Sequence, residues 1–151
     1  MEFTDGVDPE TQARVRRFFE DEIPFNRYLG MKLDAISRGA ARLTPAFKPE
    51  LVGDPFRPAL HGGVISALLD TAGGAAVWST LAPGDRVSTI DLRVDYLRPA
   101  RLEALVADAT VRRVGNRVGV VSIRATQPGA PDEPVAEAMG VYSIKREADP
   151  R

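Results

Sequence analysis

The sequence predicts an α+β fold in one domain, a curved antiparallel sheet wrapped around a single central helix, with an additional helix ahead of it. Three observations predict it. From Thr89 onward, strand-like segments follow one another with no helical run between them, which favours antiparallel neighbours over βαβ units. The stretch Gly62 to Thr80 reads as a helix whose Val64, Ile65, Leu68, Leu69, Ala72, Ala75, Ala76 and Val77 point almost every way around the axis. A helix apolar all round must be buried, and here only the sheet can bury it. Finally, 151 residues set a prior of one domain, and no linker, repeat or low-complexity tract divides them.

The elements follow in order. Asp8-Pro9-Glu10 opens the first helix with a capping acid, a proline fit for the first turn and an acid at the positive dipole end. Val15, Phe18, Phe19 and Ile23 recur at near-helical spacing, and Pro24 stops the run. Its apolar stripe makes this helix a packing element; the alternative is a wall of a binding pocket. Tyr28 to Phe47 holds two short strand-like runs punctuated by Gly30 and Ser37-Arg38-Gly39. Leu51 to Leu60, with Gly53, Pro55 and Pro58, reads as a loop without regular structure. After the central helix, Thr89 to Tyr96 alternates: Ile90, Leu92, Val94 and Tyr96 on one face, Asp91, Arg93 and Asp95 on the other. Leu102 to Arg113 and Arg117 to Thr126 form a hairpin turned at Gly115-Asn116, and Val135 to Lys145 is the last strand.

Composition narrows the chemistry. Twenty Lys plus Arg against 21 Asp plus Glu give a formal net charge of -1, which argues against a nucleic-acid binder. There is no cysteine and one histidine, His61, so disulfides, thiol catalysis and Cys/His zinc sites are excluded. The acidic start, Met1 to Pro9, lacks the pattern of a signal peptide, and the longest weakly polar stretch holds Asp70. A cytoplasmic protein without membrane partners is expected.

Asp70 is the only ionisable side chain between Gly62 and Thr80. A lone carboxylate on a buried helix is costly unless something compensates it. Three readings stand: a structural acid bonded to backbone or Arg, a metal ligand, or a catalytic base or nucleophile. No other carboxylate or histidine lies at helical spacing to complete a metal site. Asp70 shares a face with Gly63, Ser66, Ala67, Gly73 and Gly74, a stripe small enough to let something approach. Just upstream, His61-Gly62-Gly63 presents free N–H groups at the positive end of the helix, a setting suited to a developing oxyanion.

The run from His61 through Gly74 (HGGVISALLDTAGG) resembles hotdog-fold acyl-CoA thioesterases of the phenylacetate-degradation (PaaI) type, within the 4-hydroxybenzoyl-CoA thioesterase superfamily. The resemblance continues through Thr89 to Ala100, the Arg113 to Arg117 turn and the Ala136 to Tyr142 strand, so it spans about Leu29 to Ile144. It implies a helical segment at 1–27, one hotdog domain at 28–146 and a polar tail at 147–151. It also implies acyl-CoA hydrolysis at the interface of a homodimer or a tetramer of paired dimers, with CoA part of the substrate and no separate cofactor or metal. Asp70 would be the catalytic carboxylate, as general base or nucleophile. The Gly62 N–H would hold the thioester oxygen from the other subunit, beside Gly63. His61 would shape the turn, and Thr89 would help position the water. Arg98, Arg113, Gly115, Asn116 and Arg117 would line the CoA entrance. Phe47, Leu51, Val52, Phe56 and Trp78 are candidates for the acyl pocket. One departure stands out: relatives carry an Asn six residues before the histidine, where this chain has Pro55 beside Asp54, and proline supplies no amide. The alternative function is a hotdog module that binds acyl-CoA or a protein without catalysis. A hydratase ranks last, because His61 sits at the glycine turn.

Overall fold

Asp8 opens the first helix as its side chain permits: the carboxylate accepts from Thr11 N at 2.9 Å, and Pro9 stands in the first turn. The computed structural model describes residue 3 and residues 6–147; the rest of the acidic start and positions 148–151 of the expected tail lie outside the described residues. Helix α1 (Pro9–Arg16) gives way to a π-helical turn, Arg17–Glu22. Pro24 does not simply end the run, as the sequence suggests, but starts a second helix, α2 (Pro24–Leu29). The wider π turn seats Phe19 in the core and Phe18 against it, although the two are adjacent in sequence.

Glu20, on that turn, fastens the segment to the sheet. Its carboxylate pairs with Arg16 at 2.7 Å and Lys32 at 2.9 Å, and accepts from Leu33 N at 2.9 Å. Burial alone would raise the Glu20 carboxyl, but these partners hold it below its ordinary value.

Strands β1 (Lys32–Ser37), β2 (Ala40–Thr44), β5 (Arg86–Tyr96), β6 (Val106–Val114), β7 (Val118–Thr126) and β8 (Ala136–Lys145) form one antiparallel sheet in the order β1-β2-β6-β7-β8-β5. Helix α3 (Gly62–Trp78) lies across it, with Leu68, Leu69, Ala72, Ala75, Ala76 and Val77 fully buried against Leu33, Leu43, Val121 and Ile123. The hairpin turn falls at Gly115 and Asn116, as the sequence indicates.

Two expectations are corrected. The stretch 51–60 is not structureless: a 3-10 turn (Pro49–Leu51) leads into a two-stranded pair, β3 (Val52–Asp54) and β4 (Ala59–Leu60). Its prolines fall between the paired residues, where no ladder donor is needed, and Asp54 accepts from Phe56 N and Arg57 N to close the turn. The alternation of β5 also breaks. Thr89 pairs with Tyr142 and Asp91 with Val141, so Ile90 is an extra residue in the strand. Leu92 and Val94 pack inward, while Ile90 is 59% and Tyr96 52% exposed.

Candidate active site

The bulge in β5 aims Thr89 at the helix. Its hydroxyl donates to Asp70 Oδ1 at 2.8 Å. Asp70 is half-buried and stands at the wall of a cavity of about 810 Å³. Directly across the ladder from Thr89, Tyr142 reaches the same helical turn, its hydroxyl donating to the Asp70 backbone carbonyl at 3.0 Å. Burial, then the charge of Asp70, push the Tyr142 phenol far above its ordinary range, so it remains a donor. Part of the small-residue stripe beside Asp70 is therefore occupied by Tyr142, which lies over Gly73. The open remainder, at Ala67 and Gly74, faces the cavity.

That cavity runs between α3, the start of β5 and the N-terminal helical segment. Phe18, Phe19, Ile23, Trp78 and Val87 give it an apolar wall, and Phe18 packs at a tilt of 54° against Trp78 with ring centroids 4.3 Å apart. The N-terminal segment is thus a pocket wall as well as a packing element. Of the side chains expected at the acyl pocket, Trp78 lines this cavity, while Phe47, Leu51, Val52 and Phe56 do not. From Asp70 to Trp78 the helix rises about 12 Å along this cavity, whose lining also includes Arg14, Arg17, Glu22, Asp85, Arg86 and Glu147.

The glycine turn forms a second cluster. His61 caps α3, its Nδ1 accepting from Gly63 N at 2.8 Å, which leaves the ring proton on Nε2 in the neutral form. The Gly63 N–H is thereby taken. The Gly62 N–H, in the first turn, has no intrahelical acceptor and makes none of the turn or cap bonds of the described residues. Tyr96 and Ser66 close on this turn: the Tyr96 hydroxyl donates to Gly62 O at 3.1 Å, the Ser66 hydroxyl at 3.0 Å, and the two hydroxyls touch one another.

Residues 58–131 match the family model described as Thioesterase superfamily. The medium/long-chain acyl-CoA thioesterase YigI of Escherichia coli K12 is 40% identical over 122 residues, covering 72% of this chain and 79% of that protein. The chain belongs to the thioesterase superfamily. A Shewanella oneidensis protein related to that superfamily superposes with a TM-score of 0.80 at 28% identity, over 94% of this chain and 100% of its own. The E. coli PaaI protein from the phenylacetic acid degradation operon superposes at 0.81 with 22% identity, over 93% and 97%, which shows the shared fold. The architecture is that of the hotdog fold, with the extra N-terminal helix. As a member of this superfamily the chain is a thioester hydrolase.

In this thioesterase the remaining candidates do not converge within one chain. Arg98 pairs with Glu133 at 2.9 Å beyond the end of β5. Arg113, Gly115, Asn116 and Arg117 lie at the β6–β7 turn, where the Gly115 and Asn116 carbonyls accept from Arg146. The turn is level with the start of β5, so roughly 26 Å of strand separates it from Arg98. Among the described residues no group of three His, Asp or Glu side chains is placed to hold a metal, and no helix is long and apolar enough to cross a membrane.

Sequence reasoning missed Tyr142 and Tyr96 as site residues, while the wall built by Phe18 and Phe19 was its alternative reading of the N-terminal helix. Gly73 and Gly140 signal space for a large group, since a Cβ on either would meet the Tyr142 ring or hydroxyl within 3 Å. Nothing local says which aromatic fills it.

Proposed function

We propose that the protein hydrolyses acyl-CoA thioesters, with Asp70 as the catalytic carboxylate and the Gly62 N–H of a second subunit holding the thioester oxygen. The observation that carries this is a half-buried carboxylate on the central helix, bonded by Thr89 through Oδ1, at the wall of a cavity with an aromatic side. Thr89 occupies Oδ1 and leaves Oδ2 to take a proton from water. The water oxygen bonds to the thioester carbon, the C–S bond breaks, and the proton passes from Asp70 to the departing CoA sulfur. In the nucleophilic form Oδ2 bonds to the thioester carbon, and the C–S bond breaks to give a mixed anhydride and CoA thiolate, which takes up a proton. Water then hydrolyses the anhydride to the free acid and restores Asp70.

The two halves of this machinery sit on one helix, eight residues and about 12 Å apart. One reacting carbonyl cannot touch both, since reacting atoms approach to about 3–3.5 Å. That separation supports a site made by two copies, as does the outer position of β5 with Ile90, Tyr96 and Leu97 exposed. The likeness to YigI supports a medium or long aliphatic acyl group, and the channel past Phe19 toward Trp78 supports the same reading.

The test is turnover of a series of acyl-CoAs by wild type and Asp70→Asn. The substitution keeps the shape and the Thr89 contact, and turnover falls about a hundredfold or more. Equal CoA release by the two proteins overturns the role of Asp70. Tight acyl-CoA binding by wild type with no release of CoA marks a binding module instead.

A further inference from the structure

We propose that Tyr96 is a positioning residue that fixes the direction of the Gly62 N–H. The inference rests on the reading that this N–H holds the thioester oxygen. Gly62 lacks a Cβ and stands in the first turn of α3, where intrahelical bonding constrains the backbone least. The peptide that carries this N–H is held at its carbonyl, His61 O, by Val64 N at 2.9 Å and Ile65 N at 3.4 Å. The glycine dihedrals that follow it are held only if the next peptide is held too.

The peptide between Gly62 and Gly63 is held at both ends. Its N–H, from Gly63, donates to His61 Nδ1 at 2.8 Å, and its carbonyl, on Gly62, accepts from Tyr96 and Ser66 at 3.1 and 3.0 Å. A peptide is planar, so two anchored ends fix its orientation; with the preceding peptide held at His61 O, the Gly62 dihedrals between them, and so the direction of the Gly62 N–H, are fixed from both sides. The Tyr96 ring adds a steric stop, since a Cβ on Gly62 would lie 3.3 Å from its edge. The two hydroxyls and the carbonyl share two protons among three contacts. Whichever hydroxyl donates to the other, at least one proton ends on Gly62 O, so the pair acts as one unit.

Strand β5 therefore serves both halves of the site. Its bulged end places Thr89 on Asp70, and its far end places Tyr96 on Gly62. Tyr96 is half exposed despite these bonds, so packing alone does not account for its hydroxyl.

The experiment pairs kinetics with amide exchange on the full chain, using Tyr96→Phe, Ser66→Ala and the double variant. Phenylalanine keeps the ring over Gly62 and removes only the hydroxyl. Removing an oxyanion donor outright costs about a hundredfold or more, so loosening it is expected to cost about tenfold in kcat, with KM unchanged. The double variant, which leaves no hydroxyl on Gly62 O, loses more than either single one. In the same proteins the Gly63 amide exchanges about tenfold faster than in wild type. Wild-type kcat in Tyr96→Phe, a loss confined to KM, a double variant no worse than Tyr96→Phe alone, or unchanged exchange at Gly63 each overturns the proposal. Should wild type cleave no thioester, the hydrolase reading fails on its own, and the exchange measurement still decides whether Tyr96 clamps the turn.

Discussion

A Cβ at position 73 would stand 2.1 Å from the Tyr142 hydroxyl and 2.9 Å from Ile123 Cδ1, so glycine is the residue that lets β8 close on α3 behind Asp70. The contact is between buried groups in a packed core, where neither neighbour has room to move. Gly73→Ala adds a better helix former yet is expected to destabilise by about 1–3 kcal/mol, because overpacking outweighs propensity. Chemical denaturation with urea measures this, and a rise in stability would show that Tyr142 can shift freely. Pairing the substitution with Tyr142→Phe recovers part of the loss, since the phenylalanine ring lacks the clashing oxygen. At this scale the sequence marked Asp70 clearly, as one acid among apolar residues. Its donor, Thr89, was legible only through the family pattern. Tyr142 bonds to a backbone carbonyl, and such a bond leaves no trace in residue type.

The N-terminal segment is tied to the sheet by the Glu20 carboxylate. Glu20 is 9% exposed and joins the π turn to Lys32 and Leu33 of β1. Its folded-state acidity is stronger than the ordinary value of 4.5, so its stabilisation is fully present above that pH and is lost as pH falls through the folded value. Glu20→Gln is therefore expected to lower Tm at pH 7, with the gap to wild type narrowing below about pH 4.5. Melting curves across pH 3 to 7 check it, and a gap constant with pH would mean that the charge contributes nothing. The element was readable as a helix from its apolar spacing. Its division into α1, a π turn and α2 was not, because that division depends on where Phe18, Phe19 and Glu20 find partners on α3 and β1. The apolar residues that predict packing are the ones that wall the channel, and periodicity cannot separate the two roles.

In the whole molecule, the Asp70 of one chain and the Gly62 of another would meet only if two copies join, and complementation tests that directly. Asp70→Asn lacks the carboxylate, and Gly62→Pro lacks the donor while suiting the first helical turn. Each alone is expected to be nearly inactive. Co-expressed, they form mixed dimers in which one site carries both wild-type groups, so about a quarter of wild-type turnover returns under random pairing. Circular dichroism verifies that each variant is folded. Folded variants that mix into dimers without regaining activity would place both groups in one chain's site.

The sequence by itself determined the burial of α3, the antiparallel succession of strands, the hairpin at Gly115-Asn116 and the singular standing of Asp70. These are properties of local spacing and composition, and the apolar surface of one helix suffices to demand a sheet around it. Only the tertiary structure decided the β5 bulge that turns Thr89 onto Asp70, the closure of Tyr96 over Gly62, and the channel wall built from Phe18, Phe19 and Trp78. Each of these joins residues seven or more positions apart through side chains whose partners lie on other elements. Such pairings are fixed by the register and packing of the assembled sheet, to which no short window of sequence has access.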